Sequence, residues 1–338
     1  MRPGSHNAIT DVPGVLVGHW QRRETGWATG TTVVLVPDGA VGAVDGRGGA
    51  PGTRETDLLA PHNLVQRANA VCLSGGSAYG LAAADGVMRW LAEHHHGFAV
   101  GTQPHEVVPI VPAAVLFDLP RSDWGNRPDA ESGYAACQAA AGGSVAMGTV
   151  GAGTGAKLGS VKGGVGTASV VLDDGSVVGA LVAANAAGEA VDARTGRPWA
   201  ADLELGGEFV VRWPDRPVEL ARRDNPLNTT IGVVATDVRL SKAEARRLAM
   251  AGQDGLARAV RPAHSMFDGD TVFALATGAR DLADGVFGLD RLCTAAADVF
   301  ARAMVHALLA AESIPGLAAY REVWPESLSH VGRRRIGP

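Results

Sequence analysis

The stretch that most constrains this chain is Asn228-Thr229-Thr230-Ile231-Gly232-Val233-Val234-Ala235-Thr236. Its β-branched, apolar run reads as a buried strand, and it follows a polar, turn-rich segment, Arg222-Arg223-Asp224-Asn225-Pro226-Leu227. A Thr that opens such a strand, directly after an Asn that ends a loop, has a chemical option as well as a structural one. If the Asn228–Thr229 bond were cut, Thr229 would carry its hydroxyl and a free α-amine on one residue. An α-amine titrates at about 7.7–8.0, so near neutrality it can serve as a base within reach of that hydroxyl. That is the one-residue nucleophile-plus-base arrangement. Taken alone, the same residues read first as an ordinary strand start, and it is the rest of the chain that shifts the balance toward the chemical option.

A chain of 338 residues with 45 Gly and only 19% charged residues is globular rather than disordered, and long enough for one large domain or two. The net charge of −5, with no long basic run, argues against nucleic acid or an anionic membrane as partner. Cys72, Cys137 and Cys293 are odd in number and far apart, which gives neither a disulfide framework nor a zinc spacing and suits a reducing cytoplasm. The stretch Met1-Arg2-Pro3-Gly4-Ser5-His6-Asn7 lacks an apolar core, so no secretory signal is expected. No run of about 18 uninterrupted apolar residues predicts a membrane span.

Along the chain, residues 9–19 read as a turn and a short strand, and residues 31–36 as a strand ended by Pro37-Asp38-Gly39. The Gly-rich loop 45–55 lacks the Lys-Ser/Thr ending of a phosphate-binding loop, so it reads as a surface loop or a wall of a substrate cleft. Residues 70–73 are a buried strand running into Ser74-Gly75-Gly76-Ser77-Ala78-Tyr79-Gly80 and a helix over 81–93. This strand–loop–helix unit could seat an anion on backbone N–H groups. It is not a nucleophile elbow, since Tyr79 stands two residues after Ser77 where that pattern needs Gly. His94-His95-His96 reads as a solvated helix end rather than a metal site. Residues 107–119, broken by Pro109 and Pro112, read as an edge strand or an extended connection, and a helix follows over 129–141.

Two Gly-rich segments, 148–157 and 162–169, each carry a Lys, as if backbone were brought close to something with Lys157 or Lys162 aimed at it. A hairpin over 170–184 ends at Asn185, which alone reads as a turn cap or a site residue. Ser241-Lys242-Ala243-Glu244 is a capping box opening a helix to about Val260. Asp268-Gly269-Asp270 is a tight turn before a strand over 271–276, and residues 291–312 form a long Ala-rich helix ahead of an Arg333-Arg334-Arg335 tail expected to be exposed. Clustered strands, hairpins and flanking helices predict a layered α/β protein with mixed sheets, not a doubly wound one.

Taken together, Ile9-Thr10-Asp11-Val12-Pro13-Gly14-Val15, segments 72–80, 151–169 and 178–185, and Asn228-Thr229-Thr230 resemble the L-aminopeptidase/D-esterase family, which includes the β-aminopeptidases and the 6-aminohexanoate-oligomer hydrolases. The resemblance covers nearly the whole chain. It implies an αββα layered sandwich of the N-terminal-nucleophile type, made as a single domain over 1–338 and self-cleaved into fragments 1–228 and 229–338. It implies Thr229 as nucleophile, Asn185 beside the oxyanion, and Asp268 and Asp270 as the paired acidic positions. Lys162 fits the family's Lys, with Lys157 as the alternative, and Tyr79 is the candidate for the family's oxyanion Tyr. It further implies a cytoplasmic homotetramer of two-fragment protomers acting on small-molecule or short-peptide amides, with neither metal nor organic cofactor. The Thr nucleophile with an Asp-x-Asp pair leans toward hydrolysis of ω-amino-acid oligomers. Two alternatives stand beside it: a self-processing acyltransferase of the ornithine-acetyltransferase type, and a non-catalytic ligand-binding member.

Overall fold

The computed structural model describes residues 1–219 and 227–328, so the Arg333–Arg335 tail and most of the segment before Asn228 lie outside the described residues. The strands are β1 (Leu16–Arg22), β2 (Thr29–Gly46), β3 (Thr53–Arg54), β4 (Arg67–Ser74), β5 (Phe98–Ala99), β6 (Val107–Val108), β7 (Ala113–Val115), β8 (Lys157–Leu158), β9 (Val161–Lys162), β10 (Gly164–Val171), β11 (Val177–Ala184), β12 (Ile231–Val238) and β13 (Thr271–Arg280). The helices are α1 (Ala83–Glu93), α2 (Ala130–Gln138), α3 (Lys242–Ala259), α4 (Gly285–Ala310) and the short α5 (Tyr320–Val323).

Nine of the described strands form one mixed sheet, ordered β10-β11-β12-β13-β2-β4-β7-β3 with β1 on β2. Period-two alternation shows how that sheet becomes two layers. In β2, Val33 and Leu35 pack with Ala70 and Cys72 of β4 against α1 and α2. Their neighbours Val34 and Val36, with Val71 and Leu73, meet Leu181, Ala183, Ile231, Val233, Phe273 and Leu275. Those residues sit on β11, β12 and β13, on the opposite side of β2 from β4 in the hydrogen-bonded order, so the two halves of the sheet face each other. The other face of the second half, through Val178, Ala180, Val182, Val234, Val272 and Ala274, is covered by α3 and α4. Helices, sheet, sheet, helices: the αββα sandwich is assembled from three apolar seams.

β2 is where the layers join, and here the structure corrects the sequence reading. The strand does not end at Pro37; it continues to Gly46. Before Pro37 it pairs with β1, and from Val41 onward with β13. The register against β4 shifts between Leu35 and Ala40, so Pro37-Asp38-Gly39 lies within a bulge, where the missing N–H of proline breaks no ladder bond. The outer helices approach unusually closely. A Cβ on Gly86 of α1 would lie 1.7 Å from the Ala130 carbonyl oxygen, and one on Gly133 of α2 would lie 1.9 Å from that of Ala83. α4 is long and apolar enough to cross a membrane, but 83% of its apolar window is buried inside the fold. The capping box at Ser241 forms as read, its hydroxyl accepting from the Glu244 N–H.

Candidate active site

β11 and β12 pair antiparallel, with Ala183 opposite Ile231. The same register continues past both strands, because the Thr229 N–H donates to the Asn185 carbonyl at 2.6 Å. β12 and β13 pair parallel, and a bridge between Asn228 and Asp268 extends that ladder into the acidic turn. Two ladders therefore carry Asn185, Thr229 and the Asp268-Gly269-Asp270 turn to the same end of the sheet, all of them buried.

The Thr229 hydroxyl donates to the Asn228 carbonyl oxygen and accepts the Gly269 N–H at 3.1 Å. Asp270 accepts the Thr230 N–H at 2.8 Å and pairs with His264 Nδ1 at 2.8 Å. Burial raises the Asp270 carboxyl above the usual range, His264 opposing and the neighbouring Asp268 charge reinforcing the shift. Asp268 accepts N–H groups from Ala187 at 3.1 Å and Ser265 at 3.0 Å, and the Ser265 hydroxyl at 2.5 Å. The Gly-rich loop after β2 is the wall of this turn. Arg47, Gly49 and Ala50 donate backbone N–H groups to the carbonyls of Asp270, Ser265 and Asp268. A Cβ on Gly48 would fall 2.3 Å from the Asp268 oxygen, which is why the loop is built of glycine.

The two lysines separate by chemistry. The Lys157 N–H donates to Asn185 Oδ1 at 2.8 Å, which fixes the orientation of that amide. Asn185 Nδ2 then points to the Phe117 carbonyl over a long 3.5 Å. Lys162 is fully buried, and its Nζ donates to the carbonyls of Gly153 and Gly163 at 2.7 Å each. Burial pulls its amine down to about 7, with the Asp118 charge opposing. Burial pushes Asp118 up to about 6, opposed by the Gly76 N–H and the Thr29 hydroxyl, each 2.7 Å from it. Among the described residues no hydrogen bond joins Lys162 to Thr229. Phe117, Asp118, Lys157 and Asn228 line one cavity of about 670 Å³.

Tyr79 is not brought to this cluster. It is half exposed, with its ring under the Arg127 guanidinium at 3.8 Å. The anion seat expected in the Gly75-Gly76 loop exists, but the protein's own Asp118 fills it. Sequence reasoning also missed His264 and Ser265. Asp118 carried a signal, a lone acid closing the apolar run 113–117; His264 and Ser265 carried none. Among the described residues no three His, Cys, Asp or Glu side chains gather as metal ligands.

The Asp118–Lys162 couple has a pH signature. Between 3.8 and about 6 the folded chain keeps a proton on Asp118 that the unfolded chain releases, so stability falls as pH rises through that window. Between about 7 and 10.5 the unfolded chain keeps a proton on Lys162 that the folded chain loses, so stability rises. A double variant, Lys162→Met with Asp118→Asn, removes both effects. The difference in unfolding free energy, variant minus wild type, should therefore peak between about pH 6 and 7 and decline toward about pH 4 and about pH 10. Denaturant titrations across pH check this, and a flat difference would rule the buried couple out.

A family model described as peptidase family S58 matches residues 7–321. An uncharacterized aminopeptidase of Mycobacterium tuberculosis is 54% identical over 344 residues, covering 94% of this chain and 98% of the relative. The 6-aminohexanoate-oligomer endohydrolase of Paenarthrobacter ureafaciens is 35% identical over 288 residues, covering 80% and 75%. The solved structure of the L-aminopeptidase D-Ala-esterase/amidase of Ochrobactrum anthropi, a variant of the Ntn-hydrolase fold, superposes with a TM-score of 0.70 at 23% identity, covering 93% and 89%.

Proposed function

The chain belongs to peptidase family S58 and has the Ntn-hydrolase fold, and from that premise we propose that it cuts itself between Asn228 and Thr229 and then hydrolyses amides through an acyl-Thr229 intermediate. One observation carries the reading. Among the described residues, the Thr229 hydroxyl touches only the Asn228 carbonyl oxygen and the Gly269 N–H. None of the described residues brings a carboxylate, imidazole or amine within hydrogen-bond reach to take its proton. The base that the hydroxyl lacks is the one that scission creates on the same residue.

In the intact chain the hydroxyl oxygen attacks the Asn228 carbonyl carbon, its proton passes to the departing Thr229 nitrogen, and an ester replaces the amide. Water then cleaves that ester, leaving the Asn228 carboxyl group and the Thr229 α-amine. In the mature enzyme the amine, directly or through a water, accepts the hydroxyl proton as Oγ1 attacks a substrate amide. The proton goes on to the leaving nitrogen, and water hydrolyses the acyl ester. Asn185 Nδ2, held only by a long contact, is the side-chain donor for the tetrahedral oxyanion. The Asp268–Asp270 turn favours a protonated amine and the Lys162 charge opposes it, and this opposition keeps the amine's affinity for protons near neutrality.

The substrates are short peptides, amino-acid amides or esters, or ω-amino-acid oligomers. The likeness to the Paenarthrobacter hydrolase supports the last of these. A denaturing gel and N-terminal sequencing of purified protein test the mechanism. Two fragments are expected, the smaller beginning at Thr229; a fully active, unbroken chain would end it.

A further inference from the structure

Arg121 stands on a short 3-10 turn, Leu119–Arg121, fixed by its own N–H to the Asp118 carbonyl at 2.9 Å. Its half-buried side chain lines the same cavity as Asn228 and Lys157. Most arginines here hold a carboxylate, a carbonyl or an aromatic ring. The Arg121 guanidinium holds none of these among the described residues, although it is drawn out of water. Asp118, the nearest acid in sequence, acts on it through its charge but makes no hydrogen bond to it; its two oxygens accept the Gly76 N–H and the Thr29 hydroxyl. Glu322, on the same cavity wall, accepts the Ser313 hydroxyl.

A guanidinium is a rigid planar fork, matched in geometry to a carboxylate bound through two parallel hydrogen bonds. Half-buried, with no hydrogen-bonded acceptor among the described residues, it leaves that fork open to a carboxylate entering the cavity. An amide formed between amino acids carries such a group on its leaving side, the free carboxyl terminus. We propose that Arg121 binds the carboxylate of the leaving fragment, so that the enzyme selects short, carboxylate-terminated amides over the same amides with a blocked carboxyl group. This rests on Thr229 being the nucleophile and adds the residue that reads the far end of the substrate.

Three matched pairs test it: alanylglycine, β-alanylglycine and the 6-aminohexanoate dimer, each beside its C-terminal carboxamide. For a charge-assisted bidentate contact, the wild type should favour the free acid in kcat/KM by about 10- to 100-fold in the pair it hydrolyses best. Arg121→Met should bring that ratio close to one by raising KM for the acid, and Arg121→Lys should restore part of it. N-terminal sequencing of each variant confirms that Thr229 is still released. Wild type that discriminates by less than about twofold, a ratio unchanged in Arg121→Met, or mature wild type that hydrolyses none of the pairs would overturn the assignment while leaving Thr229 as the nucleophile. An unbroken, active wild-type chain would instead overturn the mechanism beneath it.

Discussion

Thr229→Ala should run as one unbroken chain of 34.6 kDa and lose amide hydrolysis by about 10⁴-fold or more, the scale on which a covalent nucleophile contributes. Both losses have one cause, since a methyl group can attack neither the Asn228 carbonyl nor a substrate. Folding should survive. The Thr229 N–H to Asn185 bond belongs to the backbone and persists, as does the parallel bridge from Asn228 to Asp268. The Asn228 carbonyl loses the hydroxyl donor and the Gly269 N–H loses its acceptor, the latter at about 1–3 kcal/mol for a buried donor left unmade. Thr229→Ser keeps the hydroxyl and the future amine, so it should still be cut and retain measurable turnover. The informative comparison is fragment pattern and activity against thermal unfolding. A Thr229→Ala chain that still splits at this bond would remove Thr229 from the chemistry, whatever its activity.

Much of the frame around Thr229 was legible because it follows from local rules. β12 is an eight-residue run of buried, mostly β-branched or small side chains, and α3 begins at a capping box visible in four letters. What local rules could not supply was which elements meet. Pro37-Asp38-Gly39 has the composition of a strand terminator, yet it is a bulge that lets β2 serve both layers, because the change of partner from β1 to β13 depends on strands hundreds of residues apart. The layered sandwich was reached through resemblance; in the structure it rests on three separate apolar seams.

The site shows the same division. Thr229, Asn185, Asp268 and Asp270 stood out as polar residues at the ends of apolar runs, and two ladders gather them. Lys162 is preferred over Lys157 only through the resemblance; in the structure Lys157 gives its backbone to Asn185, while Lys162 buries its amine against two carbonyls and the field of Asp118. Asp118 and His264 take their roles from partners that no spacing rule links to them: Gly76 and Thr29 for the first, Asp270 for the second.

Asn185→Ala should lower kcat by about 10²- to 10³-fold per mature active site, as expected for loss of one oxyanion donor. The residue has two jobs that the substitution separates. Its main-chain carbonyl holds the Thr229 N–H, and alanine keeps that contact. Its side chain turns Oδ1 to the Lys157 N–H and thereby presents Nδ2 as a donor, and alanine loses both. Loss of the bond from the Lys157 N–H to Oδ1 should cost about 1–3 kcal/mol of stability, well short of unfolding a domain of this size. Self-cleavage should slow as well, because there too Thr229 Oγ1 attacks a carbonyl carbon, that of Asn228, and a tetrahedral oxyanion develops beside Thr229. Turnover must therefore be divided by the fraction of chains that begin at Thr229, measured by quantitative N-terminal sequencing of the purified variant. With that correction, a kcat equal to wild type would reduce Asn185 to a strand-end cap. A loss of two orders or more in a folded, mature protein would tie its amide to the barrier itself.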